Sequence, residues 1–114
     1  MTNPPQDTDV TDLGALAAEL VADLPHQTSG HTARTVVTGP SMRAVVMAIA
    51  AGGGLAEHEA PPAATLHCLT GEVTLRAGDR EWPLRPGQLV PIPSARHSVV
   101  AHTDAAVLLT VSLA

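Results

Sequence analysis

The sequence predicts a mainly β fold, an antiparallel β-sandwich or jelly-roll barrel with a short N-terminal α-helix. Three observations carry that expectation. From Arg34 onward the chain breaks into short runs rich in β-branched residues: "RTVVT", "MRAVVMAIA", "ATLHCLT", "EVTLRA", "EWPLR", "QLVPI", "RHSVVA" and "AAVLLTVSL". Between them stand the turn signals "GPS", "AGGG", "TG", "GD", "RPG" and "TD", a spacing typical of sandwiches and barrels. Before them lies one stretch with a helical period, "DVTDLGALAAELVADL".

Residues 1–8 read as a disordered lead. Over residues 9–24 a helix places Val10, Leu13, Ala17, Leu20 and Leu24 on one stripe. Asp9 and Asp12 suit its N-terminus, and Pro25 marks its end. Gly14 costs this helix about 1 kcal/mol. The stripe predicts packing on the outside of the domain or on a partner subunit. "PHQTSGHTA", residues 25–33, is a polar connection. Residues 34–114 then make the barrel, with about eight strands. Tight turns at Thr70-Gly71 and Gly78-Asp79 are expected to close hairpins.

Composition bounds the function. A chain of 114 residues, 45% hydrophobic and 15% charged, makes one domain around one core. No apolar run approaches the roughly 20 residues that cross a bilayer. "MTNPPQDTDV" lacks the basic region of a signal peptide, and a lone Cys68 forms no internal disulfide. These features predict a cytoplasmic location. The chain contains no lysine, which excludes Schiff-base and P-loop chemistry. With a formal charge of −5, six scattered arginines and Trp82 as the only aromatic ring besides histidine, neither nucleic acid nor a membrane surface is an expected partner.

Local motifs thin out further on inspection. "AGGGL" has no lysine or helix after it, so it reads as a turn between strands and not as a phosphate cradle. No serine stands in a G-x-S-x-G elbow for His97, His102 and Asp104 to serve. Cys68 lies mid-strand among apolar residues, where a thiol is a small buried hydrophobe. Met42 and Met47 read as packing residues of the barrel wall. Of the six histidines, His26 and His31 fall in the polar connection. His58 comes six residues after Gly52, and His97 ten residues after Gly87. Both read as lying at strand starts on different hairpins, from which two neutral imidazoles can converge on one interior point.

These residues resemble the cupins, in particular small single-domain bacterial cupins of the RmlC-like kind. The first cupin motif, G-x5-H-x-H-x3/4-E-x6-G, corresponds to Gly52-x5-His58-x-Ala60-x3-Ala64-x6-Gly71. In the second motif, "PGQLVPIPSARHSVVA" supplies Gly87, Pro93 and His97, with Ala101 where an asparagine usually stands. The resemblance spans about residues 34 to 114 and implies the jelly roll, a small-molecule pocket and commonly a homodimer. It also implies one divalent transition metal ion (Fe, Mn, Ni, Cu or Zn) held by His58 and His97. Ala60 and Ala64 remove two of the four usual ligands. Strand alternation counted from residue 64 turns His67 outward, unless a bulge reverses it, and puts Cys68 too deep. Glu57 and Glu59 flank His58 and are the remaining ligand candidates.

Two functions follow, beside a purely structural reading in which the fold serves as a stable dimeric unit. In one, the protein is a metal-dependent cupin enzyme with dioxygenase- or isomerase-type chemistry on a small organic substrate. Ser41, Thr65, Gln88, Arg43 and Arg96 form the pool of polar residues that could orient that substrate. In the other, it is a non-catalytic, metal-free dimer that binds or senses a small ligand in a barrel lined by aliphatic side chains.

Overall fold

The computed structural model describes residues 10–113. The expected lead, residues 1–8, and Asp9 lie outside the described residues. One helix, α1 (Leu13–Asp23), runs into a 3-10 turn (Leu24–His26). Nine strands follow among the described residues: β1 (His31–Thr38), β2 (Met42–Ile49), β3 (Gly54–His58), β4 (Ala64–Thr70), β5 (Val73–Ala77), β6 (Arg80–Leu84), β7 (Leu89–Pro91), β8 (His97–Ala101) and β9 (Ala105–Ser112). They pair antiparallel throughout, in a five-stranded sheet ordered β1-β2-β9-β4-β7 and a four-stranded sheet ordered β3-β8-β5-β6. This is the expected mainly β jelly roll with a short helix.

Alternation decides what each strand buries. On β4, Leu66 and Cys68 face inward and are 1% and 0% exposed, while Thr65, His67 and Leu69 face the other way. Ile49, Val73, Leu75, Val99 and Val107 join Leu66 and Cys68 in the core between the sheets. Burying each such aliphatic side chain contributes about 1.5–3 kcal/mol. No β-branched alternation marks β3, whose single large apolar residue is Leu55. That is why the sequence reads this segment as part of a glycine-rich turn.

The helix starts at Leu13 and not at residue 9, because Asp12 caps it: its carboxylate accepts a hydrogen bond from Ala15 N at 3.0 Å. Its buried stripe is Leu16, Ala17 and Leu20, continued by Leu24. Val10 precedes the cap and is 97% exposed. The stripe covers the outer face of the five-stranded sheet, against Val46, Ala48, Leu69 and Leu108.

The two predicted turns differ. Gly78-Asp79 closes the β5–β6 hairpin, with Ala77 paired to Arg80 and Gly78 at φ 62°. Thr70-Gly71 closes no hairpin. It is a corner that carries the chain from β4 in one sheet to β5 in the other. Gly71 has φ 77°, and a Cβ there would run into the Asp104 carbonyl, so the corner accepts only glycine. Among the described residues no helix is long and apolar enough to cross a membrane.

Candidate functional site

The site is set by the pairing of β3 with β8. On β8, His97, Val99 and Ala101 point into the sandwich, and His97 is 2% exposed. Gly54 pairs with Val100 and Leu55 with Val99, but the next pair is His58 with His97, so β3 carries one extra residue between Leu55 and His58. Such a bulge re-aims every side chain beyond it. An unbroken ladder would set Glu57 opposite His97; the bulge sets His58 there. Contrary to the sequence reading, His58 ends its strand, and the histidines are direct cross-strand neighbours in one sheet. Their ring centroids lie 4.3 Å apart with planes at 64°.

Both imidazoles are oriented by the backbone. His58 Nδ1 lies 2.8 Å from the carbonyl of Ala56, and His97 Nδ1 lies 3.0 Å from that of Ala95. A carbonyl can only accept, so in each ring Nδ1 carries a proton, and in the neutral imidazole Nε2 then presents a lone pair. Among the described residues no fully buried side-chain nitrogen or oxygen lacks a partner. His97 is almost wholly buried. His58 beside it is exposed. A depression of about 230 Å³ is lined by Glu59, Ala60, Pro61, Pro62, Ser94 and Ala95, which follow His58 and precede His97 in the chain.

The other candidates are placed elsewhere. Arg96 Nε donates to Glu57 at 3.1 Å and its Nη1 to Glu59 at 2.8 Å. These hydrogen bonds raise the pKa of the guanidinium further above its ordinary value, the one to Glu57 most. Both carboxylates are thus taken up outside the histidine pair. His67 stands on the outer face of β4, between Leu89 and Leu108 in register. Cys68 is fully buried, its thiol 3.3 Å from the Gly71 carbonyl, and burial followed by the nearby Glu72 charge pushes its pKa up. Gln88 Oε1 accepts from Arg85 N at 2.8 Å within its own turn, and Thr65 faces outward from β4. Ser41 and Arg43 are exposed. His102 pairs with Thr74 at 2.7 Å, and Asp104 accepts from Ala51 N at 2.8 Å. Both lie at the opposite end of the sandwich.

The donor set can be weighed on its chemistry. Neutral imidazoles presenting Nε2, with Nδ1 donating to a carbonyl, match the tautomer and outer-shell support of metal-ligating histidines. Among the described residues, no three His, Cys, Asp or Glu side chains group closely enough to hold an ion. Ala60 and Ala64, both half-buried, offer only methyl groups. The two imidazoles would supply two ligands, one fewer than the three protein ligands usual in catalytic sites, so water or a bound molecule would have to complete the shell. The sequence reading placed Arg96 in the substrate-orienting pool. The signal it passed over is charge placement, with acids on both sides of His58 and a base just before His97.

Comparison with known proteins agrees with this architecture. The fold matches a conserved Streptococcus pyogenes protein of unknown function at TM-score 0.72 and 19% identity, covering 96% of this chain and 91% of that one. It matches an RmlC-like cupin from Desulfovibrio desulfuricans at TM-score 0.67 and 26% identity, covering 75% and 85%. A third match is salicylate 1,2-dioxygenase from Pseudoaminobacter salicylatoxidans, at TM-score 0.68 and 19% identity over 86% of this chain and 32% of that enzyme. The comparison with curated proteins finds no match. The cupin domain family model matches residues 45–112, from mid-β2 to the end of β9 and including both histidines. With more than half of its length matched and a jelly roll that presents paired histidines at one end, the chain belongs to the cupin family.

Proposed function

We propose that this cupin acts on a small organic molecule at the His58–His97 pair, with one divalent transition metal ion held by the two imidazoles. The observation that carries the reading is the double Nδ1–carbonyl pinning, which leaves both rings in the ligating tautomer on one rung of the sheet. Imidazole suits iron, nickel, copper and zinc. When bound, the ion supplies a Lewis acid or a centre for oxygen chemistry of the dioxygenase or isomerase kind. The carbonyls of Ala56 and Ala95 hold the rings against rotation. The methyl groups of Ala60 and Ala64 leave room where other cupins place ligand side chains, so the substrate itself can complete the shell. The aliphatic core beneath His97, with Val99 and Leu75, keeps bulk water from the buried side of the ring.

The reading extends to a homodimer. Met42, Leu89 and Leu113 are large apolar residues left exposed, and β1, β7, β3 and β6 are sheet edges. It extends also to a cytoplasmic location, consistent with the one unpaired, buried cysteine. Native mass spectrometry reads metal and assembly together. Protein reconstituted with Fe²⁺, Mn²⁺, Ni²⁺, Cu²⁺ or Zn²⁺ is expected to appear as a dimer carrying about one ion per chain for at least one metal. His58→Ala and His97→Ala should each abolish that loading. Wild-type protein that takes up none of the five, or variants that load as well as wild type, would overturn the metal assignment.

A further inference from the structure

We infer that Arg96 is a positioning residue for the histidine pair: its guanidinium, gripped by Glu57 and Glu59, locks the β3 bulge that sets His58 opposite His97. The charged groups flank the rung that carries the imidazoles. Arg96 immediately precedes His97, and the two glutamates stand on either side of His58. Within β3, Glu57 and His58 point to opposite faces, and Arg96 and Glu59, just beyond the strand ends, meet Glu57's side through the ion pairs.

Something has to select this register. Hydrophobic patterning specifies a strand's register only where one face is buried, and β3 is a five-residue edge strand with Leu55 as its one half-buried apolar side chain. Leu55 anchors the strand before the bulge. After it, no apolar side chain distinguishes the bulged ladder from a regular one. A slip of one residue would turn Glu57 inward, opposite His97, and His58 outward. The same slip would withdraw the Glu57 carboxylate from Arg96. The 3.1 Å contact to Glu57 and the His58–His97 pairing therefore go together, with Glu59 holding the other arm of the same guanidinium. The fork matters as well as the charge, because Nε and Nη1 reach two carboxylates at once, which a lysine ammonium cannot reproduce. All three groups are about half or more exposed, so the clamp adds little to global stability. Its effect is on the choice between two local arrangements.

The consequence for metal rests on the proposed function; the choice of register does not. Imidazole ¹⁵N and NOE spectra of the full chain, recorded without metal, test the register, and a Zn²⁺ titration tests the consequence. In the wild type, both rings are expected as Nδ1–H tautomers with an inter-ring NOE. Arg96→Met should remove that NOE and mix the His58 tautomers. It should raise the Zn²⁺ Kd at least tenfold while moving Tm by no more than a few degrees. Arg96→Lys should restore only part of the effect. Arg34→Met, which breaks the exposed Arg34–Glu19 pair on the helix side, should change neither readout. If Arg96→Met fails to fold, the near-isosteric double variant Glu57→Gln/Glu59→Gln carries the test and should reproduce the NOE loss. An intact NOE and tautomer in a folded Arg96→Met or double variant would overturn the clamp, whatever the metal does. A lost NOE in protein that never binds Zn²⁺ would uphold the clamp and count against the metal reading alone.

Discussion

At the end of the sandwich away from the His58–His97 pair, polar side chains are spent mostly on the backbone, the Thr74–His102 contact aside. Asp104 Oδ1 accepts from Ala51 N, Thr103 Oγ1 accepts from Glu72 N, and Gly71 lets the corner pass against the Asp104 carbonyl. At the histidine end, polar side chains engage one another. Arg96 bridges Glu57 and Glu59, and two imidazoles face each other with their Nε2 atoms uncommitted to the backbone. The first end uses its polar capacity to close the fold. The second keeps some in hand, which is the condition for binding anything else.

If the ends are independent in this way, breaking the closed one should reduce stability without touching the site. Gly71→Ala forces an L-residue into the left-handed region, at roughly 1–2 kcal/mol, before the clash with Asp104 is added. Thermal unfolding should show Tm lowered by roughly 10 °C or more. The molecules still folded should keep the Zn²⁺ affinity of the wild type. A changed affinity at unchanged Tm would show that the corner is coupled to the histidines.

A contrast within the open end is expected to be smaller. His97 is buried and His58 exposed, so equal roles toward a metal should come with unequal roles in folding. Urea unfolding of metal-free His97→Ala should show a loss of about 1–3 kcal/mol, from its cavity and the lost bond to Ala95. His58→Ala should stay within about 0.5 kcal/mol of the wild type. Equal losses would mean that the outer ring also supports the fold.

The smallest effect concerns Cys68 at the closed end. Burial, then Glu72, raises its thiol pKa above the ordinary 9.0. On raising the pH, the unfolded chain loses this proton first, so the unfolded state gains and the stability of the fold declines above about pH 9 until the folded thiol also ionises. The chain has no lysine and no tyrosine, which leaves little else but the terminal amine to titrate there. The urea midpoint of the wild type should therefore fall between pH 8 and pH 10, while that of Cys68→Ala stays nearly level. A slope that persists in Cys68→Ala would assign it to another group.

Much of this could be read in advance. Period-2 runs such as "ATLHCLT" coincide with β4 residue for residue, because a strand buried on one face must alternate. The parity argument for His67 holds for the same reason. The helix start was misjudged because Val10 fits the helical period, yet capping by Asp12 ends the hydrogen-bonded segment before it. β3 stayed hidden because a mostly exposed strand needs no apolar alternation, and its existence depends on β8 being there to pair with. Thr70-Gly71 has the look of a hairpin turn, and nothing local tells a hairpin from a corner between sheets.

Composition and periodicity by themselves determined that this chain folds as a jelly roll around an aliphatic core with one helix outside, while His58 and His97 stood out through their spacing from Gly52 and Gly87 and the cupin resemblance. The fold follows from burial, which each residue expresses locally through its own side chain. Only the tertiary structure decided that the two histidines share a rung. That depends on one extra residue in β3, on the ion pairs beside it, and on which strand lies across from which. Register between strands 39 residues apart is a property of contacts, and no single stretch of sequence contains it.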